Sequence, residues 1–176
     1  MIDGDTVVLG VGSPLMGDDG LGVEVVEMLR ERWAHDPDLV FLDGGTWGMR
    51  VLPYIEGARR LLLLDVIRDD QAPGTVIRLE KDELPRHLRQ KLSPHQIDLG
   101  EVLALAELRG TFPPQAVALG IEPDHVELHD GLSEKVRTAL PLLIEAARRQ
   151  LAEWGHPLEP GHRLTSGKPV EVRDHA

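Results

Sequence analysis

The chain has 176 residues, 41% of them hydrophobic, with 19 basic and 30 acidic side chains, a formal net charge of −11 and no cysteine. That size suits one domain with a substantial core. The acidic balance argues against a nucleic-acid partner, and the lack of cysteine excludes disulfides, thiolate metal ligands and a cysteine nucleophile. No apolar run approaches the roughly 20 residues that span a bilayer, so membrane insertion is not expected. The acidic start, MIDGDTVVLGV, lacks the basic region and small-residue cleavage site of a secretory signal. A cytoplasmic protein is expected.

In chain order, Thr6 to Val11 reads as a strand that enters a glycine-rich turn, GVGSPLMGDDG. A helix over 21–33 follows, with Leu21, Val25, Met28 and Leu29 on one face and Glu24, Glu27, Arg30 and Glu31 largely away from it. Residues 39–42 form a second expected strand, ending in a turn at Asp43-Gly44-Gly45-Thr46, and a shorter helix covers 49–56. The run RLLLLDV at 60–66 is apolar throughout, the mark of a central parallel strand buried on both faces. After a turn at 71–74 come a strand at 75–79, a helix from Ser93 to about 108, a strand at 116–121 and a long helix from Ser133 to Trp154. This alternation predicts an α/β fold of three layers, a mainly parallel central sheet of about five strands with helices on both faces. Residues 1–154 are read as a single domain. From Gly155 onward Pro and Gly recur without periodicity, so 155–176 are expected to form a mobile tail, with His156, His162 and His175 in solvent.

The first turn resembles a phosphate loop, but its chemistry opposes phosphate. G-x-G-x-x-G needs glycine where Leu15 stands, and no Lys or Arg occurs between Thr6 and Arg30 to offset Asp18 and Asp19. Capping the following helix accounts for one of those acids and leaves the other available to a crevice. Asp65 follows four leucines at the carboxyl end of its strand, where a carboxylate is costly unless hydrogen-bonded, exposed in a crevice or bound to a cation. Asp43 repeats that arrangement after the second strand, where a turn-forming role is an equal explanation. His95 lies in Ser93-Pro94-His95-Gln96, in which Ser93 is a good N-cap, Pro94 suits the first helical position and Gln96 completes a capping box. The imidazole therefore belongs to a first helical turn, near the surface, where the helix dipole favours its neutral, ligating form. Asp19, Asp65 and His95 can converge on one edge of a parallel sheet. Two carboxylates and an imidazole suit a divalent first-row metal with open positions, able to polarise a carbonyl or activate water.

The blocks GVGSPLMGDDGLG, LDGGTWGM, LLLLDVIRDDQAPGT, KLSPHQIDLGEVLALAELRG and GIEPDHVELHDGLSEKV, in this order and spacing, resemble the nickel-iron hydrogenase maturation endopeptidases over residues 5–153. The resemblance implies a single-domain α/β fold and a metal-dependent hydrolase, aspartic-type or metal-assisted. Its implied reaction removes the C-terminal extension of the hydrogenase large-subunit precursor once nickel is inserted. By motif position it places metal contact at Asp19, rather than Asp18, and at Asp65 and His95. It adds Asp43 as a further candidate for substrate positioning. The implied partner is the large-subunit precursor and the implied metal is nickel presented by that partner, although the same donors would accept zinc. A monomer is expected. One departure is Ser13, where the family usually has Asn. Two other readings stay open: a metal-binding assembly chaperone that does not cut, and a Rossmann-like nucleotide-binding module with Asp43 as its ribose acid.

Overall fold

The computed structural model describes residues 5–33, 36–45, 48–84 and 99–157. Five strands, β1 (Thr6–Val11), β2 (Leu39–Gly45), β3 (Arg60–Val66), β4 (Val76–Glu80) and β5 (Gln115–Ile121), form one sheet in the order β2-β1-β3-β5-β4. All pairs are parallel except β4 with β5. The helices are α1 (Leu21–Trp33), α2 (Leu52–Gly57), α3 (Leu99–Leu108) and α4 (Glu134–Glu153). The expected three-layer α/β architecture is therefore the observed one.

Strand alternation divides the core in two. Val8, Leu62, Leu64 and Val66 pack with α1 and α4 on one face of the sheet. Val7, Leu9, Leu61 and Leu63 pack with α2 and α3 on the other. The continuous apolar run of β3 is explained by this double burial, since every residue from Leu61 to Val66 is buried. Ser133 caps α4, accepting a hydrogen bond from the Val136 amide at 3.4 Å. No described helix is long and apolar enough to cross a membrane.

α1 can sit against the sheet because Gly22 has no side chain. A Cβ at Gly22 would run into the carbonyl oxygens of Leu64 and Val11. Both belong to strands that cannot shift without breaking the sheet. Gly22→Ala is therefore expected to cost about 4 kcal/mol or more, the range of severe core substitutions. Denaturant unfolding measures this, and a loss under about 1 kcal/mol would refute the close-approach account.

Three local expectations change. β2 does not stop at Leu42 but continues to Gly45, because Gly12 donates its amide to the Gly45 carbonyl at 3.2 Å across an irregularity after Gly10. Asp43 is thus a strand residue and not the first residue of a turn. The short helix opens as a 3-10 turn, Gly48–Val51, before becoming α2, which has no side-chain cap. His156 is not solvated: it is 6% exposed, with Nε2 2.9 Å from the Thr6 hydroxyl and Nδ1 2.9 Å from the Asp36 carboxylate. The Trp33 indole N–H also donates to the His156 carbonyl at 3.1 Å. Thr6 opens β1, Trp33 ends α1 and Asp36 lies between α1 and β2, so the sequence pattern around Gly155 could not announce them. Ser93, His95, His162 and His175 lie outside the described residues.

Candidate active site

The sheet order itself marks a crevice. From β1 the chain crosses to β2 on one side, whereas from β3 it continues to β5 and β4 on the other. Connections that diverge from adjacent strands leave an opening at their carboxyl ends, the usual ligand position in open α/β sheets. Asp19 belongs to the turn after β1, and Asp65 stands one residue before the end of β3. The two acids singled out by sequence therefore flank the same opening.

The glycine-rich turn separates the roles of its two acids. Residues Gly17–Gly20 form a 3-10 turn that leads directly into α1 at Leu21. Asp18 is fully buried. Its Oδ1 accepts from the Ser133 amide at 2.6 Å. Its Oδ2 accepts from the Ser133 hydroxyl at 3.0 Å and from the amides of Asp124 at 2.8 Å and His125 at 3.1 Å. Burial alone would raise its pKa, but the amides of Ser133, His125 and Asp124 and the Ser133 hydroxyl outweigh it and hold the carboxyl below the usual 3.8. Asp18 is the tether between the turn and the loop that enters α4.

Asp19 is half-buried, and its Oδ2 accepts from the Ser13 amide at 2.8 Å. This bond bears on the departure from the family pattern at position 13. The turn is closed by the backbone N–H, which serine and asparagine both supply. Gly12 makes the closure feasible: its φ is +115°, and a Cβ there would strike the Asp19 carbonyl.

Asp65 is 2% exposed and its Oδ1 accepts from the Val66 amide at 2.8 Å. It follows the alternation of Leu61 and Leu63 and so belongs to the α2 and α3 face of β3. Asp43 follows Leu39 and Phe41, which pack on the opposite face with α1 and α4. The carboxyl edge thus carries Asp19, Asp43 and Asp65, but strand pleating separates Asp43 from Asp65. Among the described residues no three carboxylates or imidazoles lie close enough to hold a metal ion. The described part of the expected ligand set is Asp19 and Asp65, a hard oxygen pair that fits a divalent cation only with further donors.

Three residues near the edge escape the sequence reading. Glu122, 8% exposed, accepts from the amides of Asp69 at 2.7 Å and Gln71 at 3.2 Å, fixing the loop that leaves β3 after Asp65. Its signal was present, since it follows the apolar β5 as Asp65 follows the leucines. His125 and His129 meet edge to face, with ring centroids 5.3 Å apart. His125 Nε2 is buried without a hydrogen-bond partner among the described residues. No local pattern marks these histidines, because their loop has neither strand nor helix periodicity.

Known proteins resemble the chain over most of its length. A family model described as hydrogenase maturation protease matches residues 23–150. The chain is 35% identical to the hydrogenase 2 maturation protease of Escherichia coli, over 85% of this chain and 92% of that one. It is also 35% identical to the hydrogenase expression/formation protein HoxM of Cupriavidus necator, over 85% of this chain and 75% of the relative. Among solved structures, the hydrogenase maturating endopeptidase HybD from E. coli superposes with a TM-score of 0.80 at 35% identity, covering 85% of this chain and 93% of that one.

Proposed function

The chain belongs to the hydrogenase maturation protease family and is a hydrolytic endopeptidase, and we propose that it removes the C-terminal extension of a nickel-loaded hydrogenase large-subunit precursor, with Asp19, Asp65 and His95 as the reacting groups. The observation that carries this reading is the position of Asp19 and Asp65 on either side of the opening between β1 and β3. Backbone amides hold both carboxylates in place, Ser13 donating to Asp19 and Val66 to Asp65, each at 2.8 Å. An ionised carboxylate can take a proton from attacking water or lie against a cation. His95 supplies the imidazole in this reading, and Asp43, on the same edge, positions the chain of the substrate. The nickel arrives with the precursor and is part of the substrate; once there, a divalent ion polarises a neighbouring carbonyl. Zinc is the alternative metal for the same donors. The cysteine-free composition suits a reducing cytoplasm, and a monomer suffices for the site.

The test is mass spectrometry of the precursor before and after incubation with the chain. Nickel-loaded precursor is expected to lose its C-terminal extension. Nickel-free precursor is expected to react about 100-fold more slowly, the cost of losing a contact that orients the scissile bond. Equal rates would refute nickel-dependent recognition, and an unchanged precursor mass in both would indicate a chaperone that binds without cutting.

A further inference from the structure

The large hydrophobic side chains left exposed among the described residues are Leu15, Met49, Leu108, Leu128 and Leu142. Three of these, Leu15, Met49 and Leu128, follow the carboxyl ends of β1, β2 and β5. They therefore rim the edge that carries Asp19 and Asp65. Exposed apolar groups scattered singly need no explanation, but a cluster beside a reaction site does.

Leu15 and Leu128 are the most informative pair, at 68% and 83% exposed. Their loops are distant in sequence but stitched together. The His129 amide donates to the Leu15 carbonyl at 3.1 Å, and the Gly17 amide donates to the His129 carbonyl at 2.9 Å. Met16 and His129 form an isolated parallel bridge, so Leu15 and Leu128 each immediately precede a bridged residue and stand side by side. Asp18 fixes the same two loops through the amides of Asp124, His125 and Ser133. The two leucines are thus displayed by a rigid, buried hydrogen-bond network. Holding apolar side chains in place before binding lowers the entropy lost on association.

We propose that Leu15 and Leu128 form a preorganised docking surface for the folded body of the precursor protein, inserting into an apolar depression on it. This rests on the proposed function, which requires a polypeptide to be brought to Asp19 and Asp65. The partner is assigned by shape and place. Both side chains protrude, so they fit a concavity on a folded protein better than the side chains of an extended peptide, which need pockets of their own. The Leu15 loop also carries Asp19 four residues later, so docking at the surface and positioning at the site use one rigid turn.

The experiment titrates fluorescently labelled, nickel-loaded large-subunit precursor with the wild-type chain and with the Leu15→Ser/Leu128→Ser double variant. It also measures single-turnover cleavage at saturation. The double variant is expected to bind about 100-fold more weakly, roughly tenfold for each anchor, with its saturated cleavage rate unchanged. A synthetic peptide spanning the cleavage site is expected to bind both proteins equally. An unchanged Kd for the precursor in the double variant overturns the proposal, as does a wild-type chain that does not bind precursor. Sedimentation showing that the leucines instead hold two copies of this chain together overturns it as well. A wild-type chain that binds through the leucines but never cleaves refutes the endopeptidase reading and leaves the docking surface standing.

Discussion

Asp65→Asn is expected to lower precursor processing about 10²–10⁴-fold, the usual contribution of a positioned acid–base group, with the fold intact. The substitution is nearly isosteric and keeps a side-chain oxygen to accept from the Val66 amide, now 2.8 Å from Oδ1. The charge and the capacity to take a proton are lost. Asp19→Asn is the parallel case, because its amide oxygen can still accept from Ser13. His95→Gln completes the set. Cleavage rates by mass spectrometry, with circular dichroism as the control for folding, give the answer. A wild-type rate in any one of the three would remove that residue from the reaction.

Asp18 is expected to behave in the opposite way, failing in stability before it fails in chemistry. Asp18→Ala leaves the buried Ser133 amide and the part-buried amides of Asp124 and His125 without their acceptor. We expect a loss of about 3–5 kcal/mol, the range for removing one partner from a buried charge-assisted network. The pH dependence follows from its depressed pKa. In the unfolded chain the carboxyl titrates near 3.8 and in the folded protein below that. The stabilisation is therefore fully present above about 3.8 and fades as the pH falls through the lower folded-state value. Denaturant unfolding from neutral pH down to pH 3 should show a steeper acid decline in the wild type than in Asp18→Ala. Parallel curves would show that Asp18 is not the tether. Asp18→Asn distinguishes charge from shape, since its amide nitrogen would face backbone donors.

The two acids look alike in sequence, and the contrast explains what could be read there. Local patterns gave β1, α1, β3, β5 and α4 almost to the residue, because each is long, strongly apolar on its buried positions and bounded by clear start or stop signals. The end of β2 is not legible locally, because Asp43-Gly44-Gly45 has the composition of a turn, and its pairing beside Gly10 and Gly12 keeps it extended. The burial of His156 is invisible along the chain for the same reason. A histidine between glycine and proline carries no sign of the Thr6 hydroxyl and Asp36 carboxylate that bury it.

By itself the sequence determined the layers, the direction of most strands, the family and the carboxyl edge on which the acids lie. Those properties follow from short-range periodicity and from motif order, both of which are written along the chain. The tertiary structure alone decided which of the adjacent acids is structural. Asp18 is satisfied by amides 106 to 115 residues away, brought to it by folding. It also decided that Asp43 and Asp65 belong to opposite faces of the sheet, since strand register and the pleat fix the side on which each emerges. The exposed pair Leu15 and Leu128 has the same origin: two leucines 113 positions apart become neighbours because their loops share a bridge and a buried carboxylate.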